Sequence, residues 1–153
     1  MKLIILFFIL IMFAGCIIPK SSEETPADLE IRYSYGACKA EWGRTNIFLY
    51  SNGSGIYESG SGPLDGLGKF EKQEFNKKIN LNESELRELL EKIDQSGFYS
   101  LAENYADLGI HDGSCSFISV TKNNITKMVS IANMKPPNAY SKVADLIYST
   151  MEK

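Results

Sequence analysis

The chain has 153 residues, of which 44% are hydrophobic, and a formal net charge of −3. That is enough apolar material for one packed core and too little length for two ordinary domains. The mild acidity and the lack of a basic cluster exclude an electrostatic nucleic-acid surface, so no nucleic-acid partner is expected.

Lys2 precedes an apolar run from Leu3 to Ala14, and the run closes on Ala14, Gly15 and Cys16. A basic start, about a dozen apolar residues and small residues at the end are the marks of an export signal. The ending "FAGC" resembles the lipobox of prokaryotic lipoproteins, with Phe13 where that family usually has Leu. The resemblance implies that residues 1–15 are a signal peptide and that Cys16, freed as the first residue, carries a diacylglyceryl group. Two acyl chains, each methylene contributing about 0.8 kcal/mol, give stable anchoring without a membrane-spanning helix. Two other readings fit the same run. It is an uncleaved membrane helix, although shorter than the roughly 20 residues that span hydrocarbon, or an ordinary secretory signal with an incidental cysteine. All three put residues 20 onward outside the cytoplasm. Pro19 to Glu30 is polar and holds two prolines. Residues 16–28 are therefore expected to be a lipidated, flexible linker, and residues 29–153 a single domain.

Leu29, Ile31, Tyr33 and Tyr35 alternate with Glu30, Arg32 and Ser34, the period of a half-buried strand. Ile47–Tyr50 and Ile56–Tyr57 flank Asn52-Gly53, which predicts a tight hairpin. Ser59 to Gly68 is rich in glycine and reads as loop. Phe70, Phe75 and Ile79 stand among lysines, as in an edge strand guarded against pairing with other chains. Asn82 and Glu85 have the spacing of a capping box, and Leu86, Leu89, Leu90 and Ile93 give one apolar stripe, so a helix follows and ends at Gly97. Phe98, Leu101 and Tyr105 are expected to pack that helix onto the sheet. A second hairpin runs through Phe117–Val120 and Ile125–Ile131 around Asn123-Asn124. Pro136-Pro137 stops it, and Tyr140, Val143, Ala144, Ile147 and Met151 mark a last helix. The predicted fold is α+β: a mainly antiparallel sheet of about five or six strands with two helices packed on one face.

Within this frame stand Gly36-Ala37-Cys38, Tyr57-Glu58-Ser59-Gly60, then Phe98, Leu101, Tyr105 and Asp112. Their order resembles a family of small exported domains of unknown function with Gly-x-Cys, Tyr-x-x-Gly and Phe-x-x-Leu-x-x-x-Tyr motifs. The match spans most of residues 31–150, with Lys39 where that family usually has Pro. The resemblance implies the fold and supplies no activity.

Cys38 and Cys115 remain after the signal. Outside the cytoplasm an even pair points to a disulfide. Closing a loop of roughly 75 residues is worth about 4 kcal/mol on the chain-entropy argument. The alternative is two small buried residues that never meet.

Glu103, Asp107, His111 and Asp112 place oxygen and nitrogen donors within one polar loop, the raw material of a metal site. Their spacing fits neither a zinc motif nor a calcium loop, and a solvated loop explains them as well. One histidine leaves no spare base for a cysteine nucleophile, and an exported thiol tends to be oxidised. Trp42 and Arg44 form a candidate contact patch, the competing reading being Trp42 capping the sheet core. Asn52-Gly53-Ser54, Asn82-Glu83-Ser84 and Asn124-Ile125-Thr126 are N-glycosylation sequons, a pattern that also arises by chance. The composite expectation is a membrane-anchored lipoprotein whose extracytoplasmic domain binds an unknown protein or small ligand. No catalysis and no cofactor are expected. The alternative is a small exported enzyme or metal-binding protein using the 103–112 loop.

Overall fold

A computed structural model describes residues 24–38, 43–61, 70, 72–110 and 113–152. Cys16 and the signal run lie outside the described residues.

The chain folds in the order β1 (Glu30–Ala37), β2 (Arg44–Tyr50), β3 (Ser54–Ser61), β4 (Lys72–Asn80), α1 (Glu83–Gln95), β5 (Asn104–Ala106), β6 (Ser114–Lys122), β7 (Ile125–Ala132) and α2 (Asn138–Ser149). Short 3-10 turns follow α1 and α2, at Phe98–Ser100 and Thr150–Glu152. The α+β class stands, but the sheet has seven strands, ordered β4-β3-β2-β1-β6-β7-β5. It is also mixed, because β5 runs parallel to β7. The expected five or six antiparallel strands fall short by one or two, and β5 is the strand the sequence did not signal. β5 has three residues and no alternation of its own; it is recruited by the backbone of β7, with Tyr105 opposite Ile131.

Register explains the core. Ile31 lies opposite Leu49 and Val120, and Tyr33 opposite Ile47 and Ile118. Ile118 in turn faces Val129 across β6 and β7. These side chains share one face and are buried, as are Leu86, Leu89, Leu90 and Ile93 of α1 and Tyr140, Val143 and Ile147 of α2. Burying each such side chain is worth roughly 1.5–3 kcal/mol relative to leaving it in water. Both helices therefore cover the same face. Phe98 is buried and Leu101 and Tyr105 pack against the core, as their positions after the helix predicted.

The local signals act as read. Asn82 Oδ1 accepts the Glu85 N–H at 3.0 Å and Glu85 Oε2 accepts the Asn82 N–H at 2.9 Å, a complete capping box. The first hairpin turns through Gly53 at φ 77°, where a Cβ would stand 2.1 Å from the Leu81 carbonyl oxygen, so only glycine fits. The second turns through Asn123 and Asn124, with φ of 53° and 60°, the left-handed pair that a two-residue hairpin turn needs.

The sheet has two distinct ends. Glu30, Tyr50 and Thr121 lie side by side, as do Ser54 and Asn80, so the entry to β1, both hairpin turns and the start of α1 share one end, the turn end. The connections β1–β2, β3–β4, β5–β6 and β7–α2 leave from the opposite, loop end.

One inward assignment is reversed near the loop end. Tyr35 is 46% exposed while its neighbour Ser34 is 4% exposed. Arg44, Asn46 and Ser34 are instead buried on the face away from the helices.

Candidate functional site

At the loop end Cys115 sits opposite Gly36 on β6, and Cys38 follows two residues beyond that pair. The Cys38 N–H donates to the Gly113 carbonyl at 3.0 Å, which carries the ladder one step past the strand. This brings the two Cα atoms to 4.8 Å and the sulfurs to 2.08 Å, disulfide geometry. Asn133, at φ 60°, braces the same place. Its N–H donates to the Ser114 carbonyl at 2.9 Å, its Nδ2 to the Ile110 carbonyl at 2.7 Å, and its Oδ1 rests 3.0 Å from Cys38 Sγ. Nothing in the sequence around Asn133 marks it as this bracket. Its signal is positional only: an asparagine just after a strand, tolerant of left-handed backbone.

Beside the disulfide lies a buried polar group on the helix-free face. Ser34 Oγ donates to Asn46 Oδ1 at 2.8 Å. The Arg44 guanidinium carbon lies 5.3 Å from the centre of the Phe70 ring. A guanidinium over an aromatic ring gains about 0.5–2 kcal/mol, more as the pair is desolvated. Arg44, read with Trp42 as a candidate contact patch, is 4% exposed. Trp42 lies outside the described residues.

The 103–112 loop is held by its backbone. The Glu103 carbonyl accepts the Ser130 N–H at 2.7 Å, and the Asp107 N–H donates to the Ala132 carbonyl at 3.0 Å. Asp107 Oδ1 accepts the Gly109 N–H at 2.9 Å, a local turn. Glu103 is exposed. His111 and Asp112 lie outside the described residues. Among the described residues no three His, Cys, Asp or Glu side chains converge as a metal site would require. The loop presents Leu108 at 87% exposure, with Ile110 and, on the next connection, Met134 also exposed. Sequence reasoning attended to the loop's carboxylates and passed over these apolar side chains.

A shallow groove of about 470 Å³ runs between the helices, lined by Lys92, Gln95 and Ser96 of the first and Lys142, Asp145 and Ser149 of the second. Lys92 is engaged by Glu88 at 2.7 Å. Its titratable side chains, Lys92, Lys142 and Asp145, are all exposed.

No family model matches the chain, and no curated protein matches it. The motif residues behind the resemblance can be read physically. Gly60 leaves room where a Cβ would stand 2.3 Å from the Lys72 carbonyl oxygen and 3.0 Å from Phe70. Cys38 is at disulfide distance from Cys115, and Phe98, Leu101 and Tyr105 pack against the core. Each of these does structural work.

Proposed function

We propose that the protein is a membrane-anchored lipoprotein, held through a diacylglyceryl group on Cys16, whose extracytoplasmic domain binds a partner protein or small ligand and carries out no chemistry of its own. One observation carries the reading: a charged start, an apolar run and the order Ala14-Gly15-Cys16. One structural feature supports it: Cys38 and Cys115 meet at disulfide distance, as suits an oxidising compartment. The family of small exported domains that the motifs resemble is proposed on the same footing, from the motifs alone.

The test is the intact mass of protein extracted from membranes. The expected species begins at Cys16 and carries the mass of a lipid. A mature chain that starts elsewhere, or a bare Cys16 thiol, would overturn the proposal. Cys16→Ser should leave the signal uncleaved or release the domain from the membrane fraction.

A further inference from the structure

The three sequons are scattered in sequence, at residues 52–54, 82–84 and 124–126, yet the fold gathers all of them at the turn end of the sheet. Asn52, Asn82 and Asn124 are all exposed there. Their side chains differ in what they already do. Asn52 Oδ1 accepts both the Ser54 N–H at 3.0 Å and the Ser54 hydroxyl at 2.7 Å, and the intervening Gly53 is buried against Leu81. Asn82 Oδ1 caps α1 through the Glu85 N–H at 3.0 Å, and its sequon continues into the first helical turn. Asn124 has no such duty. Its backbone N–H is held by Asp28 Oδ2 at 2.5 Å, which fixes the turn, while its side chain stands in solvent. Ile125 beside it is 72% exposed, and Thr126 is exposed with its hydroxyl sharing a 2.9 Å hydrogen bond with that of Thr121 across the hairpin, so the Asn124 amide is the one acceptor side chain of the three with no hydrogen bond to its own sequon or helix.

We propose that the exported chain is N-glycosylated at the turn end, with Asn124 as the acceptor. The inference rests on the reading that the domain leaves the cytoplasm. The donor class is an oligosaccharide carried on a polyprenyl phosphate or diphosphate. Asn124 Nδ2 attacks the anomeric carbon; the new N–C bond forms as the bond from that carbon to the phosphate oxygen breaks. The lipid phosphate leaves with the electron pair, and the amide gives one proton to the transferase's base. No oxidant or reductant is needed. The product is a bulky, hydrated chain beside the point where the linker enters the domain.

The test is peptide mass analysis of the protein purified from the membranes of its own cells. The peptide containing Asn124 should be heavier by a series of sugar residues, and those containing Asn52 and Asn82 should be bare. Thr126→Ala should abolish the added mass and Thr126→Ser should retain it, with unchanged circular dichroism in both. A bare Asn124 on protein whose Cys16 is lipidated would overturn the glycan and leave the anchor standing. Sugar on Asn52 or Asn82 with Asn124 bare would overturn the assignment too. Protein that still carries residues 1–15 and lacks lipid would overturn both readings.

Discussion

The carboxylate of Asp28 receives the backbone N–H of Asn123, 95 residues further along the chain, at 2.9 Å. The next amide, of Asn124, reaches its other oxygen at 2.5 Å. The last residues of the linker are thus clipped to the tip of the β6–β7 hairpin. The Asn124 amide is the main reason that the Asp28 carboxyl is held below its usual range, with Asn123 acting in the same direction against desolvation. A carboxylate lowered in the folded state stabilises above its unfolded pKa of about 4, and that contribution disappears as pH falls through the lower folded value. Asp28→Asn should therefore lower the Tm at neutral pH, with a gap to the parent that narrows as pH falls below the unfolded pKa of about 4. Thermal melts across that range check this; a gap that does not change with pH would remove the clip.

The Cys38–Cys115 bond should be present in exported protein. Alkylation should find two further thiols only after reduction. The residues are 77 apart in sequence. Their release, or the paired change to Ser, should cost about 2–5 kcal/mol in urea unfolding. Free thiols in freshly exported protein would refute the bond.

Asn82→Ala should cost about 1 kcal/mol, because the Glu85 N–H loses its acceptor at the start of α1. Asn82→Asp should cost much less, since an aspartate oxygen occupies the same place and suits the positive end of the helix dipole. Equal losses for the two would mean that the cap is not what holds this helix end.

Alkaline pH should unfold the domain cooperatively. Burial raises the Tyr33 hydroxyl far above its usual value, with Tyr148 adding to it, and burial raises Tyr140 although Ser116 hydrogen-bonds it. Their stabilising contribution is complete below the usual phenol pKa of about 10 and is lost as pH rises beyond it toward the folded values. Phenolate absorbance from these two should appear only together with loss of near-ultraviolet dichroism. Titration of all eight tyrosines near pH 10 in a folded domain would contradict the packing.

Local chemistry was legible where it is complete within a few residues. The Asn82–Glu85 box, the Gly53 turn and the α1 stripe each act through neighbours that the sequence itself supplies. β5 was not legible, because Asn104–Ala106 pairs with a strand some 26 residues away and contributes one half-buried side chain. The reversal at Ser34 and Tyr35 was hidden for a related reason. Alternation predicts two faces but not how far along each face the covering layer reaches, and Ser34 is enclosed with Asn46 on the side the helices leave uncovered. Of the candidate site, the cysteine pairing was readable from parity and compartment, whereas the Asn133 bracket and the Arg44–Phe70 stack depend on segments brought together only by folding.

The eight residues of β1, which lie between the clipped Asp28 and the braced Cys38, span about 27 Å at the usual rise of a strand. If the chain is tethered through Cys16 as proposed, that interval is a lever arm, and a force applied to the loops around Leu108 and resisted by the anchor runs lengthwise through β1. It must shear the whole length of the β1 ladders with β2 and β6 at once, rather than unzip them bond by bond. The covalent link to β6 sits at the far end of the arm, where it transfers the pull to a second strand before the β1 ladder bears it alone.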